Sequence, residues 1–311
     1  MTWTWNPPGA WKRCGGRERR RDAEAVMIDY HMHLVDDYHT ERCPYTPERV
    51  EEYVRAAEAA GVDEIGVTDH CHRFVEFAPL FEPIYKGPRG RDPEVAWLKD
   101  NLYEPLDRYV EALVRAQQRG WPVKIGLEVD WFPGAEDVIR SILAPYPWDY
   151  VLGSVHFLGD WPLDVSAGYG WPDMDVAGVY AEYFTQLEAA ARSGLYDVLA
   201  HPDLVKKFGH RADGAEAHYE AVVAAMAEAG VAMEISTAGL RCPARELYPA
   251  PAMLELAASR GVAVTFGSDA HDPQTVGQNM DKALTAARQA GITFLSTYEK
   301  RQRKLVPLPS G

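Results

Sequence analysis

Cysteine is scarce. Cys14, Cys43, Cys71 and Cys242 are the full complement in 311 residues, and no two form a C-x-x-C pair. That argues against a disulfide-stapled scaffold and a thiolate zinc knot; free thiols imply a reducing, cytoplasmic setting. No apolar run approaches the ~18 residues of a membrane-spanning helix, and the N-terminus lacks the apolar segment of a secretory signal. Positive charge is also short: 32 Lys and Arg against 46 Asp and Glu give a formal net charge of -14. A chain that wraps nucleic acid carries a basic stripe, and the only basic cluster here is Arg17, Arg19, Arg20 and Arg21. Neither nucleic acid nor a membrane is therefore expected as a partner. A small anionic substrate stays open, because a local metal cluster can reverse the field of the whole protein.

What is present is an ordinary globular balance, 47% hydrophobic and 25% charged. Met1 to Ala25 has no sustained periodicity and reads as a disordered tail or a misplaced start, since Met27 opens the first strand-like run. From Val26 onward, apolar runs alternate with amphipathic stretches. The runs are Val26 to Tyr30, Glu64 to Thr68, Val123 to Leu127, Tyr150 to Val155, Asp197 to Ala200, Val231 to Ile235 and Val262 to Phe266. Helices are expected over Pro47 to Ala60, Pro105 to Arg119, Val176 to Ser193, Ala215 to Ala229 and Pro251 to Arg260. Several stop at a glycine, as at Gly61 and Gly230. Such alternation predicts an α/β fold of parallel strands joined by crossover helices. Seven runs suggest a seven-stranded (β/α) barrel over residues 26–300, with 301–311 as a C-terminal tail. Two aromatic and Pro/Gly-rich insertions, Arg73 to Asn101 and Gly159 to Asp175, are expected over the barrel mouth.

Polar residues cluster just beyond the runs: His31 and His33 with His39 following, Asp69 and His70, Glu128, His156, His201, and Asp269 with His271. A barrel gathers its strand C-termini on one face. His31 and His33, two apart on extended chain, point the same way, as do Asp269 and His271. Imidazole with carboxylate suits zinc, iron or manganese. Any one histidine is more often a surface or core residue than a ligand, but seven of the ten lie at such ends. His210 and His218 do not, and are read as incidental. His72 stands equally as a pocket residue and as an incidental one.

The stretches Asp29 to His33, Gly126 to Asp130, Gly153 to Phe157, His201 to Lys207, Ser236 to Arg241 and Gly267 to His271 resemble histidinol-phosphatases of the PHP (polymerase and histidinol phosphatase) family. The resemblance runs from Met27 to about Tyr298. It implies a distorted (β/α)7 barrel with three divalent metal ions. By that pattern His31, His33, Glu128 and Asp269 hold the first metal, and Glu128 bridges to a second completed by His156 and His201. His39, His70 and His271 hold the third. The implied activity is hydrolysis of a small phosphate ester, L-histidinol phosphate, in histidine biosynthesis. The asparagine that relatives often carry near Ser236 is absent.

The expected chemistry is in-line attack on phosphorus by a metal-bridging hydroxide, with Glu128 and Asp269 central and His72 a guess for the acid. Arg241 is placed to fork onto phosphate oxygens. Lys206 and Lys207 are candidates for the same role, or a solvated pair. Asp203, Glu234 and Asp69 accept hydrogen bonds either from substrate or from ligating histidines. Two other readings stand: a related phosphoesterase acting on another small ester or a nucleic-acid end, and a non-catalytic binding domain.

Overall fold

The computed structural model describes residues 25–35 and 45–309. His39 and the expected N-terminal tail, apart from Ala25, lie outside the described residues. Seven parallel segments follow the seven apolar runs. They begin with β1 (Ile28–Asp29), β2 (Glu64–Val67) and β3 (Val123–Ile125), the last resuming after Gly126–Leu127 as β4 (Glu128–Asp130). Next comes β5 (Leu152–Ser154), then a small hairpin of β6 (Phe157–Leu158) and β7 (Trp161–Pro162). The series ends with β8 (Val198–Leu199), β9 (Ala232–Ser236) and β10 (Val264–Gly267). β1, β2 and β3 form one sheet; β10, β9, β8, β5 and β4 form another, in that order. Parallel bridges join the two at both edges, His70 with Glu128 and Met32 with Ala270. Tyr30 N also donates to Phe266 O at 2.8 Å. The pairing thus returns to its start, as a seven-segment barrel requires. β9 and β10 are buried along their whole length, which is why they read as largely apolar runs rather than alternating ones, with Glu234 the charged exception in β9.

The helices are α1 (Pro47–Ala60), α2 (Ala78–Tyr85), α3 (Pro93–Asn101), α4 (Leu106–Gln118), α5 (Glu136–Leu143), α6 (Val176–Arg192), α7 (Glu216–Ala229), α8 (Pro251–Ser259) and α9 (Met280–Gln289). Their ends follow local chemistry. Thr46 Oγ1 accepts from Arg49 N at 3.2 Å at the start of α1, with Pro47 at the first helical position. Gly61 closes the helix at φ +73°, a conformation that costs other residues strain. Asp175 caps α6 through Ala177 N and Gly178 N.

Several elements differ from expectation. The first insertion holds α2 and α3, pinned at its neck by a parallel bridge between Phe74 and Glu104 and by Arg73 Nη1 donating to Asn101 Oδ1 at 2.8 Å. The second begins in the turn of the β6–β7 hairpin, with β7 inside it and β6 just before. The expected C-terminal tail is corrected: β11 (Phe294–Glu299) and β12 (Gln302–Pro307) form an antiparallel hairpin. Arg301 anchors its turn, with Nε 2.8 Å from Asp197 Oδ2 and Nη2 2.6 Å from Leu195 O. Gln302 to Lys304 are exposed, so this edge strand lacks the apolar pattern that marks the others.

Candidate metal centre

Each barrel strand delivers its polar residue just beyond, or at the start of, its last hydrogen-bonded pair. Past β1 the chain stays extended, with His33 N donating to Ala270 O at 2.8 Å, so His31 and His33 point to one side. Glu128 opens β4, because the strand expected over Val123 to Leu127 breaks and resumes there. The Tyr109 hydroxyl from α4 fills that break, 2.7 Å from Gly126 O and 2.9 Å from Val67 O. His201 and Asp269 leave their strands with φ of +27° and +53°. Such backbone costs on the order of 1–3 kcal/mol and persists only where the surroundings hold it. Here His201 N donates to Glu234 Oε2 at 2.6 Å and Asp269 N to His31 O at 2.7 Å.

Glu128, 1% exposed, lies at the centre. His201 Nε2 and His156 Nε2 lie 2.9 and 3.5 Å from its Oε1, which also accepts from Ser154 Oγ. His70 Nδ1, His31 Nε2 and His33 Nε2 lie 2.6, 3.4 and 3.6 Å from Oε2. Asp269 Oδ1 is 3.1 Å from His33 Nε2 and 3.5 Å from His31 Nε2, and 3.7 Å from His271 Nδ1. Among the described residues, sets of three ligand atoms within 4.8 Å of one another occur four times: His33, His70 and His271; His31, His33 and Glu128; His31, His201 and Asp269; His70, Glu128 and His156. Eight of the nine residues expected as metal ligands thus meet at one place, and His39 is the one outside the described residues.

Carboxylates behind the ring fix its histidines. Glu234 Oε1 is 2.9 Å from His31 Nδ1, and Asp130 Oδ1 is 2.8 Å from His156 Nδ1. A carboxylate on Nδ1 keeps the proton there and leaves Nε2 as the free ligand atom. Gly267 makes room for one of these pairs: a Cβ at that position would collide with Glu234 Oε1 and lie 2.6 Å from His31 Cβ. Asp29 accepts from Ser268 N at 2.7 Å and Gly277 N at 2.9 Å, anchoring the loop that carries Asp269. Asp130 and Asp29 were not singled out from sequence; their signal is a carboxylate two residues from a ligand, Glu128 and His31 respectively. Asp69 accepts from Leu34 N, Val35 N and the Tyr45 hydroxyl at 3.0, 3.3 and 3.1 Å. Burial pushes its pKa to about 6, against the hydrogen bonds and cations around it.

The electrostatics suit cations. Burial drives the Glu128 carboxyl toward neutrality, but the imidazoles of His70, His31 and His156 overcome it and hold its pKa well below the usual range. Asp269 is lowered in the same way, burial being outweighed by His31 and His33. His156 is disfavoured as a cation by burial, yet Asp130 and Glu128 raise it to about 9. In His31 the charges of Glu234, Glu128 and Asp269 likewise overcome burial and raise its pKa well above normal. His33 goes the other way, lowered well below normal by burial and by the neighbouring His70 and His271. His31 Nε2, which faces Glu128 Oε2 at 3.4 Å and Asp269 Oδ1 at 3.5 Å, is buried with no hydrogen-bond partner. Such orphaned atoms are costly in a dry interior, whereas imidazole nitrogens and carboxylate oxygens are the donors divalent transition metals take. The residues present therefore fit a metal cluster.

A cavity of about 1120 Å³ opens over these residues, lined by His70, His156, His201, Asp269 and His271 on the barrel side. Arg241, Lys207, Asp164, Tyr248, Trp97 and His72 line it as well. Arg241 Nη2 donates to Ser268 O and Asp269 O at 2.6 and 3.0 Å, while its buried Nη1 has no partner. Lys207 Nζ pairs with Asp164 Oδ2 at 3.0 Å. Lys206 does not belong with them. It is 3% exposed, with Nζ 2.7 Å from Asp203 Oδ2, 3.0 Å from Glu246 Oε2 and 2.9 Å from Leu247 O. The short helical turn Leu204–Lys206 carries it into a buried ion pair, so the expected substrate role is corrected to an internal one. Asp203 Oδ2 is engaged there too, accepting also from Ala250 N at 2.7 Å, while its Oδ1 is buried without a hydrogen-bond partner. His72 is buried, stacked on His70 at 4.7 Å and edge-on to Trp97 at 4.9 Å. His210 stacks on Trp171 and His218 on Phe184, away from this group.

Residues 31–238 match the PHP domain family. The chain is 35% identical over 282 residues to the probable histidinol-phosphatase of Deinococcus radiodurans, covering 88% of this chain and 99% of that protein. It is 29% identical over 271 residues to the histidinol-phosphatase of Bacillus subtilis, covering 77% and 93%. The crystal structure of histidinol phosphate phosphatase from Lactococcus lactis, complexed with zinc, L-histidinol and phosphate, is similar with a TM-score of 0.68. That match is 21% identical and covers 90% of this chain and all of that one; at this identity it speaks for the fold alone.

Proposed function

The chain belongs to the PHP family, and from that premise we propose that it is a metal-dependent phosphomonoesterase hydrolysing L-histidinol phosphate to L-histidinol and phosphate. The observation that carries the reading is Glu128: a buried carboxylate faced on both oxygens by five imidazoles, three of them on Oε2. A relative matched over 99% of its own length, the probable histidinol-phosphatase of Deinococcus radiodurans, supports the substrate. In this reading His31, His33, Glu128 and Asp269 hold one divalent ion. Glu128, His156 and His201 hold a second, and His70 and His271 join His39 at a third.

Bound divalent ions supply Lewis acidity, lowering the pKa of a water and neutralising phosphoryl charge. The chain's own residues supply the rest. Glu234 and Asp130 hold His31 and His156 with Nε2 facing Glu128. Arg241 Nη1 is a charged donor at the cavity wall, with its other nitrogen already tied down, and so is set to meet a phosphoryl oxygen. Lys207 adds positive charge tempered by Asp164. From the lid, α3 contributes Glu94, Asp100 and Trp97 to the same wall. Acid and aromatic surface suits the cationic, imidazole-bearing end of histidinol phosphate. His72 Nδ1 or Nε2 stays the candidate acid for the leaving alkoxide.

Among the described residues no helix is long and apolar enough to cross a membrane. The free thiols Cys71 and Cys242 support a cytoplasmic location. The test is phosphate release by metal-analysed protein from histidinol phosphate, sugar phosphates, nucleotides and an aryl phosphate. Histidinol phosphate should give the highest kcat/KM, and a strong chelator should abolish turnover. A sugar phosphate or nucleotide outcompeting it would leave only the broader phosphomonoesterase. Metal-replete protein that releases phosphate from none of them would leave a binding domain.

A further inference from the structure

Cys71 is neither in the proposed ligand set nor in the cavity wall, yet it touches the network behind both. It follows His70 in a short helical turn, Cys71–Arg73, and is fully buried. Its Sγ lies 3.5 Å from Asp130 Oδ2, and Asp130 N donates back to Sγ at 3.3 Å. The other oxygen, Asp130 Oδ1, is 2.8 Å from His156 Nδ1. That contact leaves His156 Nε2 facing His201 Nε2 at 3.4 Å and Glu128 Oε1 at 3.5 Å. A continuous path thus runs from His70, beyond β2, through Cys71 and Asp130 on β4 to His156, beyond β5. The thiol both donates to and accepts from one residue, so it restrains the Asp130 backbone and its carboxylate together. An apolar side chain would fill the space and do neither.

We propose that Cys71 is a positioning residue of the metal centre, its thiol holding the Asp130 carboxylate at the angle that turns His156 Nε2 toward Glu128. This rests on the metal-centre reading. The role is separable from packing by three full-length variants. Cys71→Val fills the site without hydrogen bonding, Cys71→Ser keeps both hydrogen bonds, and Asp130→Asn removes the charge the thiol acts through. The readout is zinc affinity, by competition with a chromogenic chelator, measured for each variant alone and for the Cys71→Val, Asp130→Asn pair.

Loss of a hydrogen-bond partner behind a metal ligand typically costs 10–100-fold in affinity, and Cys71 acts one step further out. Cys71→Val should therefore weaken the affected zinc about 10-fold, while Cys71→Ser stays close to wild type. In the Asp130→Asn background Cys71→Val should add little. Wild-type zinc affinity in Cys71→Val, or equal losses in the Val and Ser variants, would overturn the role. If the Val variant does not fold, Cys71→Ala in the same cycle decides it, since coupling to Asp130→Asn must survive if the hydrogen bond matters. Failure of the wild-type chain to bind zinc at all would instead sink the metal-centre reading.

Discussion

Glu234→Gln is the perturbation whose outcome the structure constrains most tightly. The carboxylate comes from β9 and serves two other strands at once: Oε1 faces His31 Nδ1 at 2.9 Å, and Oε2 accepts from His201 N at 2.6 Å. An amide of the same shape has one acceptor and one donor end. If its oxygen keeps His201 N, its NH₂ meets His31 Nδ1, which must become an acceptor. The proton then moves to Nε2, the atom proposed to bind metal. If its oxygen keeps His31 Nδ1, the NH₂ confronts His201 N–H, and the strained turn at φ +27° loses its anchor. The second orientation leaves a buried donor unpaired, at about 1–3 kcal/mol; the first places a proton on the nitrogen that faces Glu128 and Asp269. Metal affinity should fall roughly 10–100-fold, with kcat restored at saturating zinc only in part. The assay pairs chelator-competition zinc binding with steady-state hydrolysis across a zinc titration. A variant that binds zinc within about twofold of wild type would refute the claim that Glu234 sets the His31 tautomer, because no orientation of the amide both accepts from His201 N and leaves the proton on His31 Nδ1.

Metal-free protein should lose stability as pH rises through about 9, because His156 is raised to about 9 by Asp130 and Glu128 despite burial. A raised imidazole contributes fully below its unfolded pKa of about 6.5 and loses that contribution above its folded value. Zinc binding must displace such protons, so zinc affinity should rise over the same window, with proton release seen by calorimetry in two buffers. A melting temperature of the metal-free chain that climbs steadily from pH 6.5 to 9 would contradict this. Arg241→Ala should lower kcat/KM by roughly 10² or more; metal content is measured alongside, because Nη2 also ties the carbonyls of Ser268 and Asp269. Normal turnover in that variant would remove Arg241 from phosphate binding. Deleting residues 302–311 should lower the melting temperature by about 2–4 °C per kcal/mol lost, since β12 pairs with all six residues of β11; an unchanged melting temperature would show the hairpin to be dispensable.

Local chemistry made much of the fold legible. The α1 bounds were readable from Thr46-Pro47 and Gly61, because a cap and a stop act within a few residues of the chain. The seven runs were readable because strands buried on both faces carry few charged residues, and Asp29 and Glu234, two of those few, serve the site. Helix α9 was overlooked: its buried face includes Ala283 and Ala287 beside Met280 and Leu284, and alanine marks a core face weakly. β12 was overlooked because an exposed edge strand needs no apolar alternation, only a partner.

At the site, the sequence determined which chemistry arrives at each strand end: His31 and His33 on one extended segment, Glu128, His156, His201, and Asp269 with His271. What it left open was the division of labour among the other polar groups. Lys206 and Lys207 are neighbours of one type, but a single helical turn buries the first against Asp203 and leaves the second at the cavity. Glu234 was compatible with holding either substrate or a histidine. Its place 2.9 Å from His31, 203 residues away, follows only when the barrel closes and brings β9 beside β10 and β10 beside β1. Hydrogen-bond partners of buried groups are chosen by that closure, because a carboxylate taken out of water must be satisfied by whatever the folded chain sets next to it.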